Sequence, residues 1–287
     1  TLYKHCENII MMPANRGLRV FAPLFLFYNK LYHRRIHYVV IGGWLDSFLD
    51  EHKWLVRLLK KFDAIYVESD MMKSALQRRG FENAVVMYNF KELEPLAESD
   101  IEYPKSEPYK LCTFSRVMKE KGIEDAINAV ESVNAHFGRT VYTLDIFGQV
   151  DVEYKERFSQ LEKSFPDYIS YGGAIEANKS VETLKSYFAL LFPTYYKGEG
   201  FAGTLIDAMS AGVPVIASDW KYNPEFVVPG NTGVIIKNCN AERLAEELIN
   251  IAAAPEKWNS MRLSALKESE KYKPDIAARP LIDRING

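Results

Sequence analysis

Cysteine is scarce in this chain, and long apolar runs are missing from it. The three cysteines, Cys6, Cys112 and Cys239, are scattered over 287 residues. That is neither metal-ligand spacing nor the density of a secreted disulfide scaffold, so a reducing, cytoplasmic compartment is the expectation. No secretory signal opens the sequence. Its longest apolar run, residues 20–28, has nine residues, about half of the ~20 that cross a bilayer as a helix. Net charge is nearly absent too: 36 Lys and Arg stand against 38 Asp and Glu, for a net of −2, so no global field argues for nucleic acid. No Gly-x-Gly-x-x-Gly turn follows an early strand, which argues against a dinucleotide oxidoreductase. Internal repeats and low-complexity tracts are also missing.

What is present is enough apolar material for two cores. Hydrophobic residues make up 47% of the chain, which excludes a disordered or fibrous class, and the length allows two domains. Residues 1–91 hold 14 basic and 8 acidic side chains, so the N-terminal part is the basic one. Strand-like runs at 8–12, 37–41, 64–67 and 84–87 alternate with helix-like runs at 23–32, the first starting at a proline, 55–62 and 71–79, a series that builds a parallel sheet. Residues 92–108 are acidic, carry Pro95, Pro104 and Pro108 and lack a hydrophobic period, as a linker would. The alternation then restarts, with strands at 110–114, 141–147, 168–171, 189–193, 213–217 and 233–236 and helices at 123–137, 151–164, 181–187, after Gly203 and at 241–253. The expected fold is therefore α/β with two Rossmann-like, doubly wound domains: an N-terminal domain at 1–94, a linker at 95–108 and a C-terminal domain at 109–287.

In open α/β sheets ligands sit beyond the carboxyl ends of the strands, so the loops leaving strands hold the candidates. After the strand at 110–114 comes "SRVMKEKGIED", which sets Arg116 and Lys121 in one loop before a helix. Two fixed cations beside a helix N-terminus make a phosphate clamp; a solvated charged loop is the plain alternative. Gly148, after the strand at 141–147, would let the backbone pass close to a ligand. After the strand at 189–193 comes "TYYKGEGFAGTLIDAM". Its glycines Gly198, Gly200 and Gly203 permit close backbone approach, its amides suit a diphosphate and sugar hydroxyls, and Glu199 and Asp207 can each accept hydrogen bonds from a vicinal diol. Asp207 can equally be the capping-box partner of Thr204.

These residues resemble the retaining glycosyltransferases of the GT-B fold, specifically family 4, which includes many bacterial polysaccharide and lipopolysaccharide enzymes. The family signature is Glu, seven residues, Glu in a Glu-Gly-Phe-Gly turn, followed by an Ala-Met helix and a Gly-Val-Pro-Val-Ile-Ala strand. This chain has Glu199-Gly200-Phe201-Ala202, Asp207-Ala208-Met209 and the run 212–217, and Ser115-Arg116 with Lys121-Gly122 is similar to the family's phosphate loop. Asn223-Pro224-Glu225 and Asn231-Thr232-Gly233 resemble its next turns. The resemblance implies two domains facing a cleft and a sugar moved, with retention, from a nucleoside diphosphate donor, UDP-sugar favoured, to a glycan or lipid-linked glycan of a bacterial surface polysaccharide. It implies that Arg116 and Lys121 neutralise the diphosphate, that Glu199 contacts the transferred sugar, and that Gly200, Phe201, Ala202, Gly203, Thr204 and Leu205 surround sugar and phosphates. Asp207, one methylene shorter than the family's glutamate, would hold the ribose, and residues 171–175 the base. No cofactor is expected. No Asp-x-Asp pair occurs, and with two cations and a helix dipole available the reaction is expected to need no metal.

The first domain departs further from the family and reads as incomplete, without the glycine-rich loop that faces the acceptor. Gly42, followed by Gly43, stands where members often carry a histidine near the donor sugar, which favours the alternative of a nucleotide-sugar-binding protein without catalysis. His37 reads as a packed residue. Asn15 and Arg16, leaving a strand in "MMPANRG", could meet an anionic acceptor or form a structural turn. Residues 22–35 combine aromatics with Lys30, Arg34 and Arg35, as a helix resting on the inner face of the cytoplasmic membrane would; a helix packed on its own sheet with a basic end is the alternative.

Overall fold

The computed structural model describes residues 5–287; residues 1–4, where the first expected domain opens, lie outside the described residues. Contacts divide the chain into two compact units. The first comprises the chain up to Phe90 together with Lys197–Ala202 and Pro274–Gly287, and the second comprises Lys91–Tyr196 and Gly203–Lys273. The C-terminal segment therefore packs in the first unit, where Ile285 O accepts from Asn8 Nδ2 at 3.0 Å and Arg284 O from Arg35 at 3.0 Å.

The first unit is built on a four-stranded parallel sheet in the order β1 (Asn8–Met11), β2 (Arg35–Val39), β3 (Ala64–Val67), β4 (Ala84–Val86). The run Ala-Ile-Tyr-Val of β3 is buried throughout, as a parallel strand covered on both faces requires. His37 is buried in β2, with Nε2 3.1 Å from Asn8 Oδ1 and Nδ1 3.2 Å from the Tyr66 hydroxyl, and burial pushes its pKa down. The helix Asp70–Arg78 follows from local rules: Ser69 caps it by accepting from Met72 N at 3.0 Å, and Gly80, at φ +76°, ends it. Several boundaries differ from expectation: β2 lies two residues earlier than the expected 37–41, the helix expected at 55–62 is Lys53–Leu59, and the first helix differs most. The aromatic helix runs Asn15–Tyr32 with Pro23 inside it, because Leu18 and Ala22, fully buried, anchor its first half to the core and outweigh the proline. Among the described residues no helix is long and apolar enough to cross a membrane.

The second unit holds a six-stranded parallel sheet, β5 (Tyr109–Phe114), β6 (Tyr142–Phe147), β7 (Ile169–Gly173), β8 (Ala189–Phe192), β9 (Val215–Ser218) and β10 (Gly233–Ile236), in the spatial order β10-β9-β8-β5-β6-β7. This is a doubly wound sheet, and its strand order reverses between β5 and β8. Leu111, Val130, Leu144, Ile146, Phe188, Leu191, Leu248 and Trp258 belong to its core. The helix Ile123–Phe137 is set by glycines at both ends, Gly122 at φ +72° and Gly138 at φ +63°. Residues 91–108 contain only a short turn, Glu98–Asp100, and lie on this unit, with Leu96 N donating to Ser210 O at 2.8 Å.

Candidate active site

In the second unit the chemistry gathers where the strand order reverses. The loop after β5 carries Arg116 and Lys121, and the loop after β8 carries Tyr196. The carbonyl of Glu120 joins them by accepting from Tyr195 N at 2.8 Å and from the Thr194 hydroxyl at 3.3 Å. Gly122 is required at this junction: a Cβ there would lie 2.3 Å from Pro193 O. The Arg116 guanidinium lies 5.8 Å from the Tyr196 ring centroid and the Lys121 ammonium 5.4 Å from it, so both cations lie against one aromatic ring. Lys121 is buried and also lies 5.3 Å from the Phe192 ring; Arg116 is exposed and 3.6 Å from Asp151. The sequence-predicted clamp residues are therefore together at a topological switch point.

The helix Gly203–Ser210 follows. Its Thr204 hydroxyl donates to Phe114 O, the last residue of β5. Asp207, 2% exposed, accepts from the Lys91 ammonium on both oxygens, at 2.6 and 2.7 Å. A Thr204–Asp207 capping box is thus replaced by two longer-range bonds. Burial pushes the Asp207 carboxyl above the ordinary aspartate range, opposed by Lys91 and by the Ser180 hydroxyl. Lys91, the partner of Asp207, is a residue that sequence reasoning passed over. Gly148, expected to let the backbone approach a ligand, has a structural cause of its own: at φ +138°, a Cβ would fall 1.8 Å from Ser115 O, and its N–H and carbonyl are bonded to Gly173 O and the Tyr171 hydroxyl. Tyr171, expected beside a base, also packs edge-on against Phe158. Asn223 and Thr232, in the later turns, bond to Ser218 O and to Val228 N.

The first unit carries further sequence-predicted residues. The turn Lys197–Ala202 belongs to it, so the chain changes unit at the Ala202–Gly203 peptide. Glu199 is 6% exposed. Around it the backbone is tightly fixed: Phe201 N donates to Glu68 Oε2 at 2.9 Å, Asn89 Nδ2 to Phe201 O at 2.9 Å, and Gly43 N to Gly198 O at 3.3 Å. The Phe201 amide, expected to face the donor, is therefore bonded to Glu68. Gly42 N donates to the other oxygen of Glu68 at 3.0 Å. Burial pushes the Glu68 carboxyl above the ordinary glutamate range and the Glu199 charge adds to this, against the two backbone bonds. Gly42 sits at φ +84°, and a Cβ there would lie 3.2 Å from Gly198 O, so a histidine at this position would be strained. Asn15 and Arg16 are exposed on the first turn of the helix Asn15–Tyr32. Among the described residues no group of three or more His, Cys, Asp or Glu is arranged to hold a metal ion.

A family model described as glycosyl transferases group 1 matches residues 97–268. The GtfA subunit of the UDP-N-acetylglucosamine–peptide N-acetylglucosaminyltransferase of Streptococcus gordonii is 30% identical over 178 residues, which cover 59% of this chain and 34% of that protein. An uncharacterized glycosyltransferase of Methanocaldococcus jannaschii is 24% identical over 208 residues, 68% of this chain and 50% of that protein. The chain spans about a third to a half of the length of these curated relatives. Among solved structures, HepE of Anabaena in complex with UDP superposes with a TM-score of 0.79 at 15% identity, covering 99% of this chain and 79% of that one. TarM of S. aureus does so at 0.72 and 19%, covering 97% and 55%. At such identities the likeness is one of fold, the α/β architecture with parallel sheets of the GT-B glycosyltransferases. Matched by that model over more than half its residues, the chain belongs to the glycosyl transferases group 1 family.

Proposed function

We propose that this chain acts in a retaining glycosyltransferase that moves a hexosyl group from a nucleoside diphosphate sugar to a hydroxyl of a glycan or lipid-linked glycan in bacterial surface polysaccharide synthesis. The observation that carries the reading is the pair of cations, Arg116 and Lys121, both against the Tyr196 ring where the strand order of the second sheet reverses. A leaving diphosphate gains charge as its bond to the sugar breaks, and fixed cations in a partly buried setting stabilise that charge. The acceptor hydroxyl attacks the anomeric carbon on the face the diphosphate leaves, and its proton passes to a phosphate oxygen. Positioning and leaving-group stabilisation then carry the catalysis with no metal required. In this reading Glu199 contacts the hexosyl group, the amides of residues 202–205 meet sugar and phosphate, and Asp207, with Lys91 on it, faces the ribose. Uridine is the favoured base, in keeping with HepE, solved with UDP and with UDP-glucose, and with GtfA, whose name specifies UDP-N-acetylglucosamine. A lipopolysaccharide acceptor accords with a lipopolysaccharide core mannosyltransferase of Rhizobium leguminosarum, 24% identical.

The second reading is a nucleotide-sugar-binding protein without catalysis, favoured by Gly42 in the place of the family's histidine. Incubating the chain with labelled UDP-, GDP- and ADP-sugars and a lipid-linked glycan separates the two: label on the acceptor supports the transferase, and bound but untransferred sugar supports the binder. Membrane contact belongs to the same proposal. Val20, Leu24, Phe27 and Leu31 form an exposed apolar stripe at helical spacing, with Lys30 and Arg34 nearby. Stronger partition into anionic than neutral liposomes at low salt is the expected outcome, and equal partition contradicts it.

A further inference from the structure

Glu68 has no role in the reaction just described, yet both oxygens of its carboxylate are engaged. It lies one residue past β3 and is 7% exposed. Leaving a carboxylate in such a place is costly unless hydrogen bonds offset the lost water. Here both oxygens are used: Oε1 takes the Gly42 N–H and Oε2 the Phe201 N–H. These are charge-assisted bonds, roughly twice as strong as neutral ones. The neighbouring backbone is shaped to the carboxylate. At Gly200 a Cβ would fall 2.2 Å from Glu68 Oε2 and 2.8 Å from Gly42 Cα, so only glycine leaves room for the oxygen. Phe201 is held on three sides: its N–H by Glu68, its carbonyl by Asn89, and its ring, 2% exposed, edge-on against Tyr88. Glu199 is two residues away on the same short turn.

We propose that Glu68 is a positioning residue for sugar transfer: by bonding Gly42 and Phe201 at once it fixes the Lys197–Ala202 turn, and through it the Glu199 carboxylate. The inference rests on the reading of Glu199 as the contact to the transferred sugar. Glu68 itself touches only backbone amides here and is not assigned a contact to substrate. A glutamine in its place is the same size but offers one acceptor oxygen and turns a donor toward the second amide; a leucine offers neither.

Amide hydrogen exchange and kinetics on the full chain test this, comparing wild type, Glu68→Gln and Glu68→Leu. In the leucine chain the amides of residues 198–202 and of Gly42 exchange at least about tenfold faster, the glutamine chain lies between, and the second unit's peptides are unchanged. Turnover of the donor falls by roughly 100-fold in the leucine chain, as misplacement of about an ångström can produce, while affinity for UDP alone holds. Should the leucine chain fail to fold, the glutamine chain carries the same comparison. Unchanged exchange overturns the proposal, and so does faster exchange with unaltered turnover or a loss of UDP affinity matching the loss of turnover. If the wild-type chain transfers no sugar, the transferase reading fails, and the exchange rates still decide whether Glu68 holds the turn.

Discussion

Glu199 and Asp207, with seven residues between them in the chain, are secured by opposite means. Glu199 sits in the first unit on a turn whose backbone is gripped by the side chains of Glu68 and Asn89, with glycines allowing the main chains to touch. Asp207 sits in the second unit on a regular helix, and its own carboxylate is bonded to the Lys91 ammonium. The first acid is placed by backbone packing and the second by charge pairing. Two halves of one sequence motif therefore respond differently to mutation, and the contrast can be broken from either side.

The largest effect is expected from the charge pair. In Lys91→Met the buried Asp207 charge loses its cation, and the chain should lose roughly 2–4 kcal/mol, near the lower end of what breaking a buried pair costs because Lys91 is 27% exposed. Chemical denaturation measures this, and an unchanged midpoint would remove charge pairing from the account. Next comes Gly200→Ala, where the added methyl meets Glu68 Oε2 and the Gly42 backbone. A cost of roughly 1–3 kcal/mol is expected from the overpacking, with turnover falling more than UDP affinity. A neutral melting curve together with full turnover would show the turn to be loosely held. The smallest effect belongs to Tyr196→Leu, which removes the ring shared by Arg116 and Lys121. Cation–π contacts of about 0.5–1 kcal/mol each imply a UDP affinity several-fold weaker, read by titration calorimetry; unaltered affinity would show that the ring does not organise the cations.

Much of the fold was legible in the sequence because hydrophobic period and punctuation are local. The strand expected at 110–114 is Tyr109–Phe114, the one at 141–147 is Tyr142–Phe147, and the helix at 123–137 is Ile123–Phe137, closed by Gly138. Arg116 and Lys121 could be singled out as candidates because they leave a strand before a helix, where open α/β sheets commonly hold ligands. The helix Leu45–Glu51 and the helices between Pro255 and Asn286 gave no comparably clear signal, being short and positioned by packing. The extension of the first helix back to Asn15 was hidden by Pro23, whose local preference tertiary burial overrides. The supports of the two acids were out of reach for a different reason. Glu68, Asn89 and Lys91 meet their partners across 133, 112 and 116 positions of chain, and no window of sequence contains such a pair. Gly148 and Gly200 stood out as glycines, but the cause, a carbonyl and a carboxylate that would clash with a Cβ, is visible only in three dimensions.

On the proposed reading Arg116 and Lys121 grip a diphosphate at the switch point of the second sheet. Calorimetric titration of UDP and of uridine into wild type and into Arg116→Ala/Lys121→Ala tests it most directly. The double variant should lose roughly 100-fold or more in UDP affinity, as removal of two charge-assisted contacts implies, while uridine affinity changes little. Equal UDP affinity in the two chains would contradict it.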